Sequence, residues 1–198
     1  MTLKEIYPKY AVRKRLHGKT NINRGSDKGT SHSYIEVYDR LLSRFVGKNA
    51  TLLEIGVASG KSLLMWEEFL VNGIVYGIDK IGMPNILKDH PKIVYEQMDA
   101  YDPLLLENFS KSKKFDIIIE DGSHVLDDQL RAVFTLAPRL KDDGLMIVED
   151  VMPFDHAEKM VSLINGAEII DLRANGNDKD DVLVVFKKHD VVAALERL

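Results

Sequence analysis

A doubly wound α/β domain, with a mostly parallel seven-stranded sheet closed by an antiparallel C-terminal hairpin, is the fold this sequence predicts. Three observations predict it. From Asn49 onward, short apolar, β-branched runs alternate with longer stretches of helical spacing, the rhythm of strand and crossover-helix units. A loop of small residues containing Gly56 and Gly60 follows the first run, as expected where a strand bends sharply into a helix. The last two apolar runs are joined by a polar loop with no room for a crossover helix, so they must pair antiparallel.

The elements follow in order. Residues 33–45 read as an amphipathic helix bearing Ile35, Val37, Tyr38, Leu41 and Leu42. Strands are expected at 51–57, 74–79, 93–98, 115–120 and 145–149, each continuously hydrophobic as in strands covered on both faces. Between them lie helices at 60–71, near 85–88, at 103–110 and at 127–140, the last with Leu130, Val133, Phe134, Ala137 and Leu140 on one face. Right-handed crossovers then put helices on both faces and gather the strand C-terminal ends along one edge. The chain continues with a helix at 155–164, a strand at 168–172, a polar loop at 175–181 and a strand at 182–187. The expected organisation is one domain: a basic arm and covering helix over 1–48, and a core over 49–198.

Composition excludes several chemistries. The 198 residues contain no cysteine, which removes disulfides, thiolate metal sites, iron–sulfur clusters and cysteine nucleophiles. The first residues have no apolar signal region, and no apolar run approaches the 18 or so residues of a membrane span, so a cytoplasmic protein is expected. A formal charge of -4 speaks against nucleic-acid binding, although residues 1–26 carry Lys4, Lys9, Arg13, Lys14, Arg15, Lys19 and Arg24 against the single acid Glu5. With aromatics limited to Tyr7 and Tyr10, that arm reads as a solvated or docking segment ahead of a phosphate-binding one.

The glycine loop admits three ligand classes. A phosphate loop needs four residues between its glycines before Lys-Ser, and here there are three. A dinucleotide fingerprint wants a second glycine where Ala58 stands. S-adenosylmethionine, which has no phosphates, needs a tight glycine turn and an acid at the end of the second strand to accept its ribose hydroxyls. Asp79 is that acid, and Asp99, following Met98 at the end of the third strand, can accept from the adenine amino group.

The fourth strand runs into Asp121, Gly122, Ser123 and His124, and the fifth into Glu149 and Asp150. As neighbours about 4.8 Å apart, those strands bring their terminal carboxylates together. Such a cluster is repulsive unless a cation joins it, and hard oxygen donors favour Mg²⁺, with Ca²⁺ or Mn²⁺ as substitutes. His124 is a natural general base for a hydroxyl held nearby; His32, in the polar segment before the covering helix, is the other candidate. His17, His90, His156 and His189 read as solvated.

Together, Glu54-Ile-Gly56 with Gly60, Ile78-Asp79, Asp121-Gly-Ser-His124 and Val148-Glu149-Asp150 resemble the class I S-adenosylmethionine-dependent methyltransferases, and with them a Rossmann-like methyltransferase fold. More narrowly the chain is similar to the metal-dependent sugar O-methyltransferases of macrolide biosynthesis, of the mycinamicin and macrocin type, and to related rhamnosyl and cephamycin-pathway proteins. Ser26-Asp-Lys-Gly29, His32, Tyr34 and Tyr38 are similar to the segment preceding the core in that family. The resemblance implies that Asp121, Glu149 and Asp150 ligate Mg²⁺ and that His124 is the base. It implies that Glu54, Gly56, Gly60, Asp79, Met98 and Asp99 hold the cofactor, with Asp27, Lys28 and Gly29 closing over it. The implied partner is a small-molecule hydroxyl acceptor, a sugar or glycoside, with no nucleic acid and no membrane; a homo-oligomer is compatible. Only Met152 to Asp155 separates the Glu-Asp pair from the next helix, too little for a substrate-covering insertion, which leaves the acceptor open. Two other classes compete: a metal-independent nucleic-acid methyltransferase using the basic arm, and a cofactor-binding subunit without catalysis.

Overall fold

The computed structural model describes residues 1–11, 25–175 and 180–197. Half of the basic arm, residues 12–24 with His17, and four residues of the 175–181 loop lie outside the described residues. Seven strands form one sheet in the order β3-β2-β1-β4-β5-β7-β6. They are β1 (Thr51–Ile55), β2 (Ile74–Asp79), β3 (Ile93–Gln97), β4 (Phe115–Glu120), β5 (Leu140–Val148), β6 (Glu168–Asp171) and β7 (Val182–Lys187). The first five are parallel. β7 runs antiparallel between β5 and β6, so the hairpin closes the sheet as expected.

Alternate residues of each central strand feed two separate cores. Leu52, Val75, Ile117, Ile147 and Val185 face one side, where α1 (Leu3–Ile6), α2 (Tyr34–Leu42) and α3 (Lys61–Leu70) pack over them. Leu53, Ile78, Ile118, Met146 and Val184 face the other, under α4 (Pro103–Ser110), α5 (Leu126–Leu136), α6 (Phe154–Leu163) and α7 (Lys188–Leu195). Covering both faces is what lets β1 bury Leu52 and Leu53 side by side and β4 bury Ile117, Ile118 and Ile119 in a row. The order reverses between β1 and β4, and there the loops after the strands part to leave a crevice.

Several expectations are corrected. The helix expected to reach Leu140 ends at Leu136, because Pro138 lacks an N–H for the helical ladder; the chain makes a 3-10 turn over Ala137–Arg139, and Leu140 already begins β5. The first half of β5 carries exposed Lys141, Asp142 and Asp143, so no apolar run marks it. β3 is an edge strand with exposed Val94, Glu96 and Gln97 instead of a strand covered on both faces. Residues 188–195 were not expected to be helical, yet Val191 and Ala194 of α7 are buried against β5 and β7. His90 is not simply solvated: its Nδ1 lies 2.5 Å from Glu67. His156 likewise has a buried Nδ1.

The arm's first residues dock. Thr2 and Glu5 form a capping box that starts α1, Leu3 and Ile6 are fully buried, and Asp39 of α2 accepts from Leu3 N at 2.6 Å. Two of its cations are engaged, Lys4 with Glu36 at 3.0 Å and Lys9 with Glu68.

Candidate functional site

A cavity of about 680 Å³ opens where the C-terminal ends of β1, β2, β3 and β4 meet. Backbone bonds extend past the strand ends and fix its rim: Gly56 N donates to Ile78 O, Asp121 N to Ile55 O and Glu149 N to Glu120 O, at 2.9–3.0 Å. Gly56 has φ +86°, and a Cβ there would stand 1.9 Å from the Asp121 carbonyl oxygen. Only glycine lets the two loops approach so closely. Replacing Gly56 by alanine is therefore expected to cost about 3 kcal/mol, combining backbone strain with overpacking. Urea unfolding would show it as a lower midpoint at unchanged slope.

Asp79 clamps the glycine loop. Its Oδ2 accepts from Val57 N and Ala58 N, both at 2.9 Å, and its Oδ1 accepts from Ile81 N at 3.1 Å. Asp99 accepts from Tyr101 N at 2.9 Å. Gly56, Asp79, Met98 and Asp99 all line the cavity, as does Asp27. Glu54, Gly60, Lys28 and Gly29 do not. Glu54 is buried behind the loop and accepts from Ser62 Oγ at 2.7 Å, while Gly60 opens α3 at φ +79°. At Gly29 a Cβ would press on Ile35 and Tyr7, so that glycine serves packing.

The carboxylates converge from β4 and β5, with one arrangement the sequence did not suggest. The Lys28 ammonium is buried among them, 2.6 Å from Asp121 Oδ2, 2.6 Å from Glu149 Oε1 and 3.4 Å from Glu54 Oε1. Tyr38 also donates to Glu149 Oε1, at 2.5 Å. Burial works to lower the Lys28 pKa, but the three carboxylates outweigh it and hold the ammonium well above its usual range. Burial likewise works to raise Asp121, and here Lys28 and the His124 hydrogen bond prevail and keep the carboxyl below its usual range. Glu149, with less compensation, is pushed well up by burial.

Asp121 belongs to two groups whose ligand atoms lie within 4.8 Å of one another: Glu54, Asp121 and Glu149 on the inside, and Asp121, His124 and Asp150 facing the cavity. Lys28 occupies the inner group. The outer one, two carboxylates and an imidazole, has the donor chemistry of a hard or borderline divalent cation. Asp121 and Asp150 are thus brought together at the cavity, and Glu149 is turned toward Lys28. His124 Nε2 lies 3.3 Å from Asp121 Oδ1 and 3.7 Å from Asp150 Oδ2. The second base candidate, His32, sits behind Asp150, 3.5 Å from Asp150 Oδ1 and 3.7 Å from Asp181, and does not line the cavity. Tyr34 donates to Asp150 Oδ1 at 2.6 Å.

Backbone strain collects here. Of the four non-glycine residues with positive φ among those described, Ala58, His124 and Asp150 stand at this site. Such conformations persist only where surrounding structure over-determines them.

The electrostatics make metal-free stability depend on pH. The Asp121 hydrogen bond raises His124 from 6.5 to about 9; burial raises Glu120 from 4.5 to about 7 and, with Asp121, raises Asp150 from 3.8 to about 6. In all three cases the folded chain holds protons that the unfolded chain has released. His124 therefore contributes fully below 6.5 and loses its contribution as pH rises through 9, and the two acids act in the same sense at lower pH. In chelator, the melting temperature should fall steadily between pH 6 and pH 9; an equal or higher value at pH 9 would contradict the assignment.

The lining residues that were not anticipated include Tyr101, Asp128 and Arg131, and Ser123 was anticipated only as part of the Asp121-Gly-Ser-His124 motif. Tyr101 donates to buried Glu120 and accepts from Ser123 N at 2.8 Å, tying the end of β3 to the turn that carries His124. Ser123 Oγ donates to Asp128 Oδ2 at 2.8 Å. Asp128 and Arg131 stand one turn apart on α5, a spacing visible in the sequence once the cavity side of that helix is known. Gln129, between them, is buried and donates to Glu149 O at 3.0 Å.

Comparison with known proteins places this geometry. The chain is 34% identical over 138 residues to 8-demethyl-8-alpha-L-rhamnosyl tetracenomycin-C 2'-O-methyltransferase of Streptomyces olivaceus, an alignment covering 66% of this chain and 36% of that one. It is 30% identical over 131 residues to demethylmacrocin O-methyltransferase of Streptomyces fradiae, covering 62% and 33%. The chain thus spans about a third of the length of the curated relatives it matches. Its fold matches the MycE methyltransferase of the mycinamycin biosynthetic pathway, solved in complex with Mg, SAH and mycinamycin VI, with a TM-score of 0.73 at 22% identity over 94% of this chain and 54% of that one. Residues 53–151, half of the chain and the stretch holding the glycine loop, the clamp acid and the carboxylate corner, match the model of the methyltransferase-domain family, and the chain belongs to that family.

Proposed function

We propose that this chain is an S-adenosylmethionine-dependent O-methyltransferase that methylates a hydroxyl of a sugar-bearing small molecule with the help of a divalent ion, Mg²⁺ first among candidates. The observation that carries the reading is that the Asp79-clamped glycine loop and the Asp121–His124–Asp150 corner share one cavity. The two relatives are both O-methyltransferases, one of them of a rhamnosyl tetracenomycin, which supports the acceptor class. The ligands in the MycE complex support the cofactor and the metal. Among the described residues no helix is long and apolar enough to cross a membrane, and a cytoplasmic enzyme fits a cysteine-free chain.

In this reading Gly56, Asp79, Met98 and Asp99 contact the cofactor, Glu54 and Gly60 shape the loop from behind, and Asp27 borders the opening. Asp121 and Asp150 hold the ion, with Glu149 as the third carboxylate. The cofactor supplies a methyl group already activated on a sulfonium. The ion supplies Lewis acidity that lowers a hydroxyl pKa from near 15.7 by several units, into reach of an imidazole. With the cofactor bound, this cavity would hold the acceptor hydroxyl in line with that methyl group, and His124 would be placed to take the hydroxyl proton. The protein's own contribution is alignment and a fixed base.

A methyl-transfer assay over a panel of glycosides and free sugars, with Mg²⁺ or with EDTA, tests this. Turnover on a glycoside that falls at least about a hundredfold in EDTA is expected. Turnover indifferent to chelation would remove the metal, and no turnover on any hydroxyl acceptor despite cofactor binding would favour a non-catalytic subunit.

A further inference from the structure

The carboxylate cluster already contains a cation that belongs to the chain. Lys28 is 2% exposed. Its ammonium is 2.6 Å from one oxygen each of Asp121 and Glu149, two of the three carboxylates assigned above to a divalent ion. A buried ammonium is stable only when paired and hydrogen-bonded, so this placement is specific. The segment carrying it is tied down on both sides: Ser26 N donates to Tyr10 O at 2.7 Å, Tyr34 N donates to Lys28 O at 2.9 Å, and the amides of Thr30, Ser31 and His32 all donate to Asp27 O. Of the three carboxylates around the ammonium, Glu54, Asp121 and Glu149, only Asp121 also lines the cavity.

We propose that Lys28 is a tethered counter-ion that competes with the divalent cation for Asp121 and Glu149, a positioning residue that keeps the metal-free cluster together and sets the metal affinity. The inference rests on the metal reading above. Asp121 is the common member of the inner and outer ligand groups, so an ion entering from the cavity meets Asp121 and Asp150 first. It gains Glu149 only as the ammonium gives up that oxygen. A 2+ charge and an ammonium sharing one carboxylate repel across a few ångströms of poorly screening interior, and each therefore weakens the other's hold.

The test is Lys28→Met, which keeps an unbranched apolar stem and removes the charged end. Mn²⁺ binding is followed by electron paramagnetic resonance and calorimetry, and melting is followed in EDTA and in Mn²⁺. The expected result is a Kd for Mn²⁺ at least about tenfold lower than that of the unsubstituted chain. In EDTA the melting temperature should fall by roughly 10 °C. Mn²⁺ should restore most of that loss, while moving the unsubstituted chain much less. A lysine that merely supports the fold would lower the melting temperature and weaken Mn²⁺ binding, and that outcome overturns the proposal while leaving the metal reading intact. No Mn²⁺ binding by either protein overturns both. Should Lys28→Met fail to fold in EDTA, the pair Lys28→Met with Glu149→Gln removes a cation and an anion together. Recovery of folding in the pair supports charge balance as the cause, and further destabilisation overturns it.

Discussion

Replacing His124 by alanine is expected to lower kcat by roughly 10²–10⁴-fold with little change in cofactor affinity. The imidazole lines the cavity and is partly exposed, so its removal opens no core void. In the metal-free chain the Asp121 hydrogen bond raises its pKa to about 9, which keeps it protonated near neutrality and unable to accept. A cation shared by Asp121 and Asp150 would draw on the same carboxylate charge that stabilises the imidazolium, and so would favour the basic form of His124. The dependence on His124 should therefore appear in the acidic limb of the kcat profile measured with Mg²⁺, and that limb should be absent in His124→Ala. Equal rates for the two proteins across that limb would assign proton removal elsewhere.

Asp121→Asn is expected to do more, because Asp121 serves both ligand groups. It would lose the outer corner's shared oxygen and leave Lys28 with Glu149 and Glu54 alone. Activity should fall by at least about 10³-fold, as metal, base orientation and acceptor alignment fail together. Stability should fall by about 2–3 kcal/mol, less than the full cost of orphaning a buried charge because two partners remain. Calorimetry with Mn²⁺ and urea unfolding separate the two effects; retained metal affinity would show that the outer corner is not the binding site.

Much of this could be read from residue order, and the exceptions have physical causes. Strand order makes β4 and β5 neighbours, so Asp121 and Asp150 meet at the cavity, and Asp79 lines it from the end of β2, although its clamp on the Val57 and Ala58 amides was not expected. Lys28 could not be read that way. It lies 93 residues from Asp121, on a segment outside the sheet, and nothing local to Ser-Asp-Lys-Gly says its side chain turns inward. Glu149 was expected to face the same ion as Asp150, yet successive residues leave a strand in opposite directions, and Glu149 points to Lys28 and Tyr38. The docking of α1 was masked by its charges, since a four-residue helix presents only Leu3 and Ile6 as apolar contacts. The start of β5 was hidden by its exposed Lys-Asp-Asp, and α7 by its weak amphipathicity around Val191 and Ala194.

The central claim is that one cavity holds the sulfonium cofactor and a divalent ion side by side. Crystals grown with S-adenosylhomocysteine and Mn²⁺, with diffraction recorded at the manganese edge, test it most directly. The account predicts an anomalous peak in coordination contact with Asp121 and Asp150, beside a nucleoside bound against the glycine loop and Asp79. A well-ordered nucleoside with no anomalous peak at those carboxylates, Lys28 still bridging Asp121 and Glu149, would contradict it.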